Sequence, residues 1–298
     1  VTKLEARGIT QLKIYTNLTP EVYTAVADEA RLRGLKIVGH IPRGVSLAEV
    51  AASRQLTIEH LDILSMLSCA PTNKNWLEES LRTRFVEGEE SYFKYMANYW
   101  SNLNWQTCDP ALKAFAASGG YWTPTLIMET ADAGLVDESA MAYLTAENKS
   151  WFETQLAGIQ AASPNAQHAA YTGLKQTLDH VRQAGVPLLA GSDTPNNCLA
   201  PGASLIWELI RMADFGLTNL EAIQTATINP ANAFTGKPRL VKTGDPAELI
   251  LLRENPLENL TALKQIEGVY INSEWLGIDR LDELKETAVR YVENQTSD

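Results

Sequence analysis

At 298 residues the chain exceeds an ordinary domain of roughly 100 to 200 residues, yet a (β/α) barrel of ~250 residues forms one domain, so length alone does not divide it. Hydrophobic residues make up 45% and charged residues 20%, a balance that supplies a core and excludes disorder as the main state. A formal charge of -11 and a pI near 5.0 repel phosphate backbones, which argues against nucleic acid or an anionic membrane surface and favours a small-molecule substrate.

The longest apolar runs, Val186 to Gly191 and Ala247 to Leu252, fall far short of the ~20 residues that span a bilayer, so the chain reads as soluble, with its compartment unassigned. Cys69, Cys108 and Cys198 show no CxxC spacing, which speaks against a zinc knuckle or a disulfide scaffold and leaves a single Cys69 to Cys108 bridge open. The opening VTKLEARGIT has no charged start followed by an apolar h-region and reads as a helix end running into a strand.

From there a βα rhythm sets the class. QLKIYTN (11–17) reads as a strand, after which Thr19 and Pro20 open a helix that Gly34 stops. KIVGHI (36–41) is the next strand, and Ser46 with Glu49 forms a capping box on LAEVAASRQ. TIEHL (57–61) follows as a third strand. The rhythm then breaks over 62–112, a helical insertion carrying Trp76, Phe85, Tyr92, Phe93, Tyr95, Tyr99, Trp100 and Trp105. Insertions after barrel strands wall a substrate site, whereas aromatics at helical spacing also simply pack together; both readings stand, and the first suggests an apolar portion on the substrate.

The alternation resumes with a helix around ALKAFAASGG, the strand YWTPTLIM (121–128), a long helical stretch to Gly185 and the strand VPLLAGSD (186–193). Helices from Ala203 to Phe215 and from Leu220 to Phe234 come next. Beyond Gly236 the texture becomes β-rich, with strands expected at 247–255 and 268–277 and a last amphipathic helix at 279–293. The expected division is a barrel portion at 1–236, a small sheet domain at 237–277 and a carboxy-terminal helix at 278–298.

Functional groups of a parallel barrel gather at the carboxy ends of its strands. His40 in IVGH, His60 in TIEH and Asp193 in LLAGSD all end strands, and Lys13 lies within the first. Imidazole and carboxylate together suit a zinc-like ion that keeps an open water position. Each residue alone has a plainer reading: a polar rim group for a histidine, a helix cap for Asp193, a snorkelling side chain for Lys13. Only four histidines exist, however, and two of them end consecutive strands; His168 and His180 fall in a helix and read as surface groups. Glu59 and Asp62 flank His60 and would orient it by accepting a hydrogen bond, although carboxylates at strand ends are usually solvated. Cys198 follows Asp193 on the same loop and either faces the pocket or, in the plainer reading, is a bystander.

The motifs LKIYTN, VGHIP, IEHLD and AGSDTP, in this order, resemble the second half of the amidohydrolase superfamily signature. GASLIWELIRMADFGLTNLEAIQTATINPANAFTG and KTGDPAELILLRENPLENL are similar to its imidazolonepropionase-like and prolidase-like branch, and the resemblance runs from Gln11 to Trp275. It implies an α/β fold, the carboxy-terminal part (strands four to eight) of a TIM (β/α)8 barrel, with part of a small composite β-sandwich.

The same resemblance implies a role for each site residue. Lys13 would carry a carbamate derived from carbon dioxide that bridges two divalent ions, expected to be zinc; His40 and His60 would bind one ion, and Asp193 would contact the other and move the proton from water to the leaving amine. An ammonium has no lone pair to offer a cation, whereas a carbamate offers two anionic oxygens. Trp122, Thr123 and Pro124 fall where the family shapes its pocket, and no role follows from the residues themselves.

One departure is plain: the family's HxH pair, which binds the same ion as the Asp, occurs nowhere in the sequence. Strands one to three would also be absent, so the chain is expected to begin near the end of the third barrel helix. Such an open barrel exposes strand edges and apolar surface, and a complementing amino-terminal segment or an oligomer partner is expected to cover it. The expected activity is hydrolysis of an amide, dipeptide or cyclic C–N bond by metal-activated water, in the manner of an Xaa-Pro dipeptidase. The alternatives are a lactone or organophosphate ester hydrolase built on the same centre, and a catalytically incomplete assembly subunit.

Overall fold

A computed structural model describes residues 1–130, 141–194 and 199–295, and these form two compact units. The first comprises 1–125 and 158–189; the second comprises 126–157 and 190–298, the second division falling within the helix Ala146–Ala161.

In the first unit four short strands run in sequence: β1 (Gln11–Ile14), β2 (Lys36–Gly39), β3 (Thr57–Glu59) and β4 (Tyr121–Thr123). β1 pairs in parallel with β2, with Lys13 opposite Val38, and β3 pairs in parallel with β4, with Glu59 opposite Thr123. Between the two pairs the Leu56 amide donates to Ile37 O at 2.7 Å. On the far side of β4 a parallel bridge joins Trp122 to Leu188. Ile14, Ile37, Ile58, Trp122 and Leu188 are all buried, as expected of parallel strands whose crossover connections are helical.

Local chemistry sets these crossovers. The Thr19 side chain accepts from the Val22 amide and Pro20 opens the helix Pro20–Leu32; Ser46 and Glu49 form the expected capping box on Leu47–Ser53. Gly39 closes β2 at φ +114, where an added Cβ would stand 2.3 Å from the Ile14 carbonyl oxygen. Only glycine fits between β2 and β1 at that point. Below it lies a fully buried amide, Gln55, whose Nε2 donates to Gly39 O at 3.0 Å and Thr57 O at 2.9 Å while its Oε1 accepts from the Tyr23 hydroxyl at 3.0 Å. Burial pushes the Tyr23 phenol up to about 12.

The insertion is helical, with α-helices at Ile63–Met66, Trp76–Arg82, Glu89–Ser101 and Trp105–Ala117 and a π-helical turn at Thr83–Glu87. Its aromatics largely pack on one another. Trp76 meets Tyr99 edge-on at 5.3 Å, Tyr99 meets Trp100 at 4.9 Å, and Phe93 meets Tyr171 of the helix Pro164–Gln183 at 5.8 Å. Phe85 on the π-helical turn is exposed. Cys69 and Cys108 are joined in a disulfide, the bridge the sequence left open. His168 is exposed, but His180 departs from the surface reading: its ring stacks on Trp105 at 3.6 Å and its Nδ1 lies 3.0 Å from Asp109.

In the second unit Ile127, Leu144, Phe152, Leu199, Ala200 and Trp207 form the buried cluster. The expected strand 121–128 ends instead at Thr123. Pro124 removes a ladder donor, and Leu126–Glu129 turns into a helix whose free amides at Leu126 and Ile127 donate to the Glu208 carboxyl at 3.0 and 2.7 Å. Glu208 is fully buried; burial pushes it up to about 8 against the pull of those two amides and of Arg211.

The strand expected at 186–193 is reduced to the single bridge at Leu188. The helix expected from Leu220 to Phe234 is divided into Asn219–Ala226 and Ile228–Thr235 at Thr227. The single strand expected at 268–277 is a hairpin. β5 (Leu249–Leu252), β6 (Ile266–Ile271) and β7 (Glu274–Gly277) form an antiparallel sheet in that order, and Asn272 and Ser273 make the tight turn with φ of 51 and 64. The helix Ile278–Gln295 follows. Among the described residues no helix is long and apolar enough to cross a membrane.

Candidate metal centre

The carboxy ends of β2 and β3 bring two histidines together edge to face. His40 Nε2 and His60 Nε2 are 3.1 Å apart, with ring centroids 4.7 Å apart and planes at 85°. The Tyr15 ring covers His40 at 4.3 Å. Two nitrogens bound at 2.0–2.1 Å to one tetrahedral ion stand about 3.3 Å apart, so this pair needs almost no rearrangement to share a zinc-like cation.

A carboxylate stands beside the pair. Ligand atoms of His40, Glu59 and His60 all lie within 4.8 Å of one another, a donor set of two imidazoles and one carboxylate that suits a catalytic divalent ion. The Glu59 carboxylate also meets Lys13 Nζ at 2.7 Å. Lys13, with its side chain half exposed, is therefore tied into the cluster through Glu59. The His40 imidazole is held below its ordinary range, first by burial and then by His60 alongside, with Glu59 and Asp62 opposing. A neutral ring is the form that binds a metal.

His60 is buried and adopts φ 67, a left-handed backbone uncommon outside glycine. Residues of β4 and the turn after it hold it there: the His60 amide donates to Thr123 O at 2.8 Å, Trp122 Nε1 donates to His60 O at 2.8 Å, and Nδ1 meets Thr125 Oγ1 at 2.8 Å.

The structure thus brings Lys13, His40 and His60 together in the first unit and adds Glu59 as a direct neighbour. Asp193 belongs to the second unit, where it ends the 190–193 stretch with φ 53; the adjacent Ser192 hydroxyl bonds the Ser204 hydroxyl at 2.9 Å. Asp62 caps the helix Ile63–Met66 through the Ser65 amide at 2.8 Å, a role the sequence reading did not assign to it. Cys198 lies outside the described residues. Thr125 carried no signal in the sequence, because a threonine after proline reads as a turn residue, and only the fold places it on a histidine 65 positions away.

The sequence profile of the Amidohydrolase family matches residues 2–276. The chain belongs to the amidohydrolase family. Its fold is the amidohydrolase fold, of the TIM-barrel class, with mixed α/β content. Members of this family generally bind divalent metals, and the His40, Glu59, His60 cluster is a candidate site for one.

Among solved structures the chain is similar to a bottromycin amidohydrolase, with TM-score 0.74 and 18% identity over 97% of this chain and 60% of that one. It is similar to an Xaa-Pro dipeptidase with methionine bound in its active site, with TM-score 0.55 and 16% identity over 93% of this chain and 56% of that one. It is also similar to a prolidase complexed with N-methylphosphonate-L-proline, with TM-score 0.54 and 18% identity over 93% and 57% of the two chains. At these identities the likeness, carried by the TM-scores, is one of fold alone. The chain spans between 56% and 60% of the length of these three structures. A search of the curated proteins finds no match.

Proposed function

We propose that this protein is a metal-dependent hydrolase that uses activated water to cleave a C–N bond in an amide, dipeptide or cyclic amide. The observation that carries the reading is the opposed Nε2 pair of His40 and His60 with Glu59 beside it, at the carboxy ends of parallel strands in a member of the amidohydrolase family. His40, His60 and Glu59 would hold a divalent cation, best matched by zinc, which supplies Lewis acidity by lowering the pKa of water and polarising the scissile carbonyl.

Lys13 is the second anionic donor in this reading, as a carbamate formed with carbon dioxide. A carbamate on Lys13 would bring a second anion beside Glu59, whose carboxylate lies 2.7 Å from the lysine nitrogen, and two anions so close would repel unless a cation offset them. Carbamylation of Lys13 and metal binding therefore favour each other, and the Lys13–Glu59 ion pair is the state that competes with both. Asp193 takes the proton from the attacking water and returns it to the leaving amine nitrogen. His60, with its ring fixed on both sides, keeps its position through the cycle.

In the same reading the parallel strands are strands four to eight of a barrel, β5 to β7 are part of a composite sandwich, and further ligands come from a complementing segment or an oligomer partner. That part is supported by the span of 60% or less of the matched structures and by the open apolar run Leu249, Ile250 and Leu251 on β5. The test is hydrolysis of N-acyl-proline and N-acyl amino acid panels, beside lactone and phosphotriester panels, by protein supplied with zinc and bicarbonate. Turnover of the C–N panel that His60→Ala abolishes supports the reading; inertness toward that panel with the ester panels turned over contradicts it.

A further inference from the structure

His60 is held more completely than a metal ligand requires for position alone. Its amide, its carbonyl and its Nδ1 are each bonded by a different group of the segment Trp122 to Thr125. The next amide, of Leu61, donates to Pro124 O at 3.0 Å. Thr125 and Trp122 are buried, so neither hydrogen bond is exchanged freely with water.

Thr125 also sits at φ 49, in the left-handed region. A β-branched residue is strained there, and glycine or asparagine would adopt the turn without that cost. Turn geometry and burial therefore do not explain a threonine at this position; the hydroxyl it directs at His60 Nδ1, 2.8 Å away, does. A hydroxyl oxygen can accept from an imidazole N–H, and once Nδ1 carries the proton, Nε2 is left with its lone pair. That lone pair is on the nitrogen that meets His40 Nε2 at 3.1 Å.

We infer that Thr125 is a positioning residue that locks His60 in its Nδ1–H tautomer, presenting Nε2 as a permanent lone-pair donor to the cation site. The inference rests on the metal-centre reading of the same cluster and deepens it by naming the group that prepares one ligand before any cation arrives. A histidine ligand commonly donates its other ring N–H to a neighbouring acceptor, and losing such a partner typically weakens metal affinity by roughly 10- to 100-fold.

The test uses the full chain, metal-free and labelled with ¹⁵N-histidine, with long-range ¹H–¹⁵N spectra recorded above the histidine titration range and the His60 signals assigned by His60→Gln. Zinc affinity is measured on the same samples by chelator competition. Thr125→Val keeps the shape and the β-branch but removes the acceptor; Thr125→Ser keeps the acceptor. The expected result is a pure Nδ1–H signature for His60 in the parent, a mixture with the Nε2–H form in Thr125→Val together with roughly 10- to 100-fold weaker zinc binding, and recovery of both in Thr125→Ser. An Nε2–H signature in the parent, or an unchanged tautomer in Thr125→Val, overturns the inference. If the tautomer shifts as expected but the parent binds no zinc, the lock stands and the metal-centre reading falls.

Discussion

The strands of the two units are built from similarly apolar runs and end up in opposite situations. In the first unit the strands alternate with helices, Ile14, Ile37, Ile58 and Trp122 are buried, and His40, Glu59 and His60 gather at the carboxy ends of β2 and β3. In the second unit β5 reads Leu249, Ile250, Leu251, and these residues remain 38%, 60% and 51% exposed. The difference shows where function can be held. A strand buried on its faces leaves its terminal residue to be fixed by the next strand, as residues 122–125 fix His60, whereas a sheet with open faces has an apolar surface to cover.

The sharpest way to break this comparison is to move a substitution from one sheet to the other. His60→Ala in the first unit is expected to weaken zinc binding by more than the roughly 10- to 100-fold set by loss of an orienting partner, while Ile250→Thr leaves zinc affinity unchanged. Equal losses in the two variants, read by chelator competition, would mean that the site is not confined to the first unit.

The disulfide tests the rigidity of the first unit. Cys69 ends the 3-10 turn Leu67–Cys69 behind the helix Ile63–Met66, Cys108 is on the helix Trp105–Ala117, and they are 39 positions apart. Closing a loop of that length stabilises by about 4 kcal/mol in the chain-entropy estimate. Denaturant midpoints with and without reductant, compared with Cys69→Ser/Cys108→Ser, read that quantity; no change on reduction would show that the bridge does not brace the fold.

Glu208 probes the second unit through pH. Its folded-state value near 8 lies above the ordinary 4.5, so the folded chain prefers the neutral acid. Its contribution is fully present below pH 4.5 and is lost as pH rises through 8, a fall of about 3 kcal/mol between pH 5 and 8. Glu208→Gln should flatten that slope in thermal melts. A slope that survives the substitution assigns it to other groups.

The smallest effect expected is on β5 itself. Ile250→Thr on an exposed face should change stability by no more than about 0.5 kcal/mol. A larger loss, or a change in sedimentation, would mean that β5 is covered in solution by a partner.

What the sequence disclosed follows the range of the interaction involved. The caps at Thr19 and at Ser46 with Glu49 bond within three residues, and both are where the pattern put them. His40 and His60 stood out because each ends an apolar strand run. Three features needed the fold. The helix at Leu126 depends on Glu208, 82 positions away; the turn at Asn272 and Ser273 depends on two left-handed residues inside an otherwise continuous strand pattern; and Glu59 joins the histidines only because β2 and β3 are neighbours. Asp62 carried the opposite lesson, since its capping box with Ser65 was as local as that of Ser46. The likeness of LKIYTN, VGHIP, IEHLD and AGSDTP to the amidohydrolase signature carried the family assignment further than spacing alone.

The central claim is that His40, His60 and Glu59 form a cation site coupled to the state of Lys13. Titration of zinc into the metal-free chain, with and without bicarbonate, tests it most directly. The account predicts saturable zinc binding that bicarbonate tightens, with the bicarbonate effect absent in Lys13→Arg and binding itself lost in His40→Ala. Zinc binding that is absent under both conditions, or that persists unchanged in His40→Ala, would contradict it.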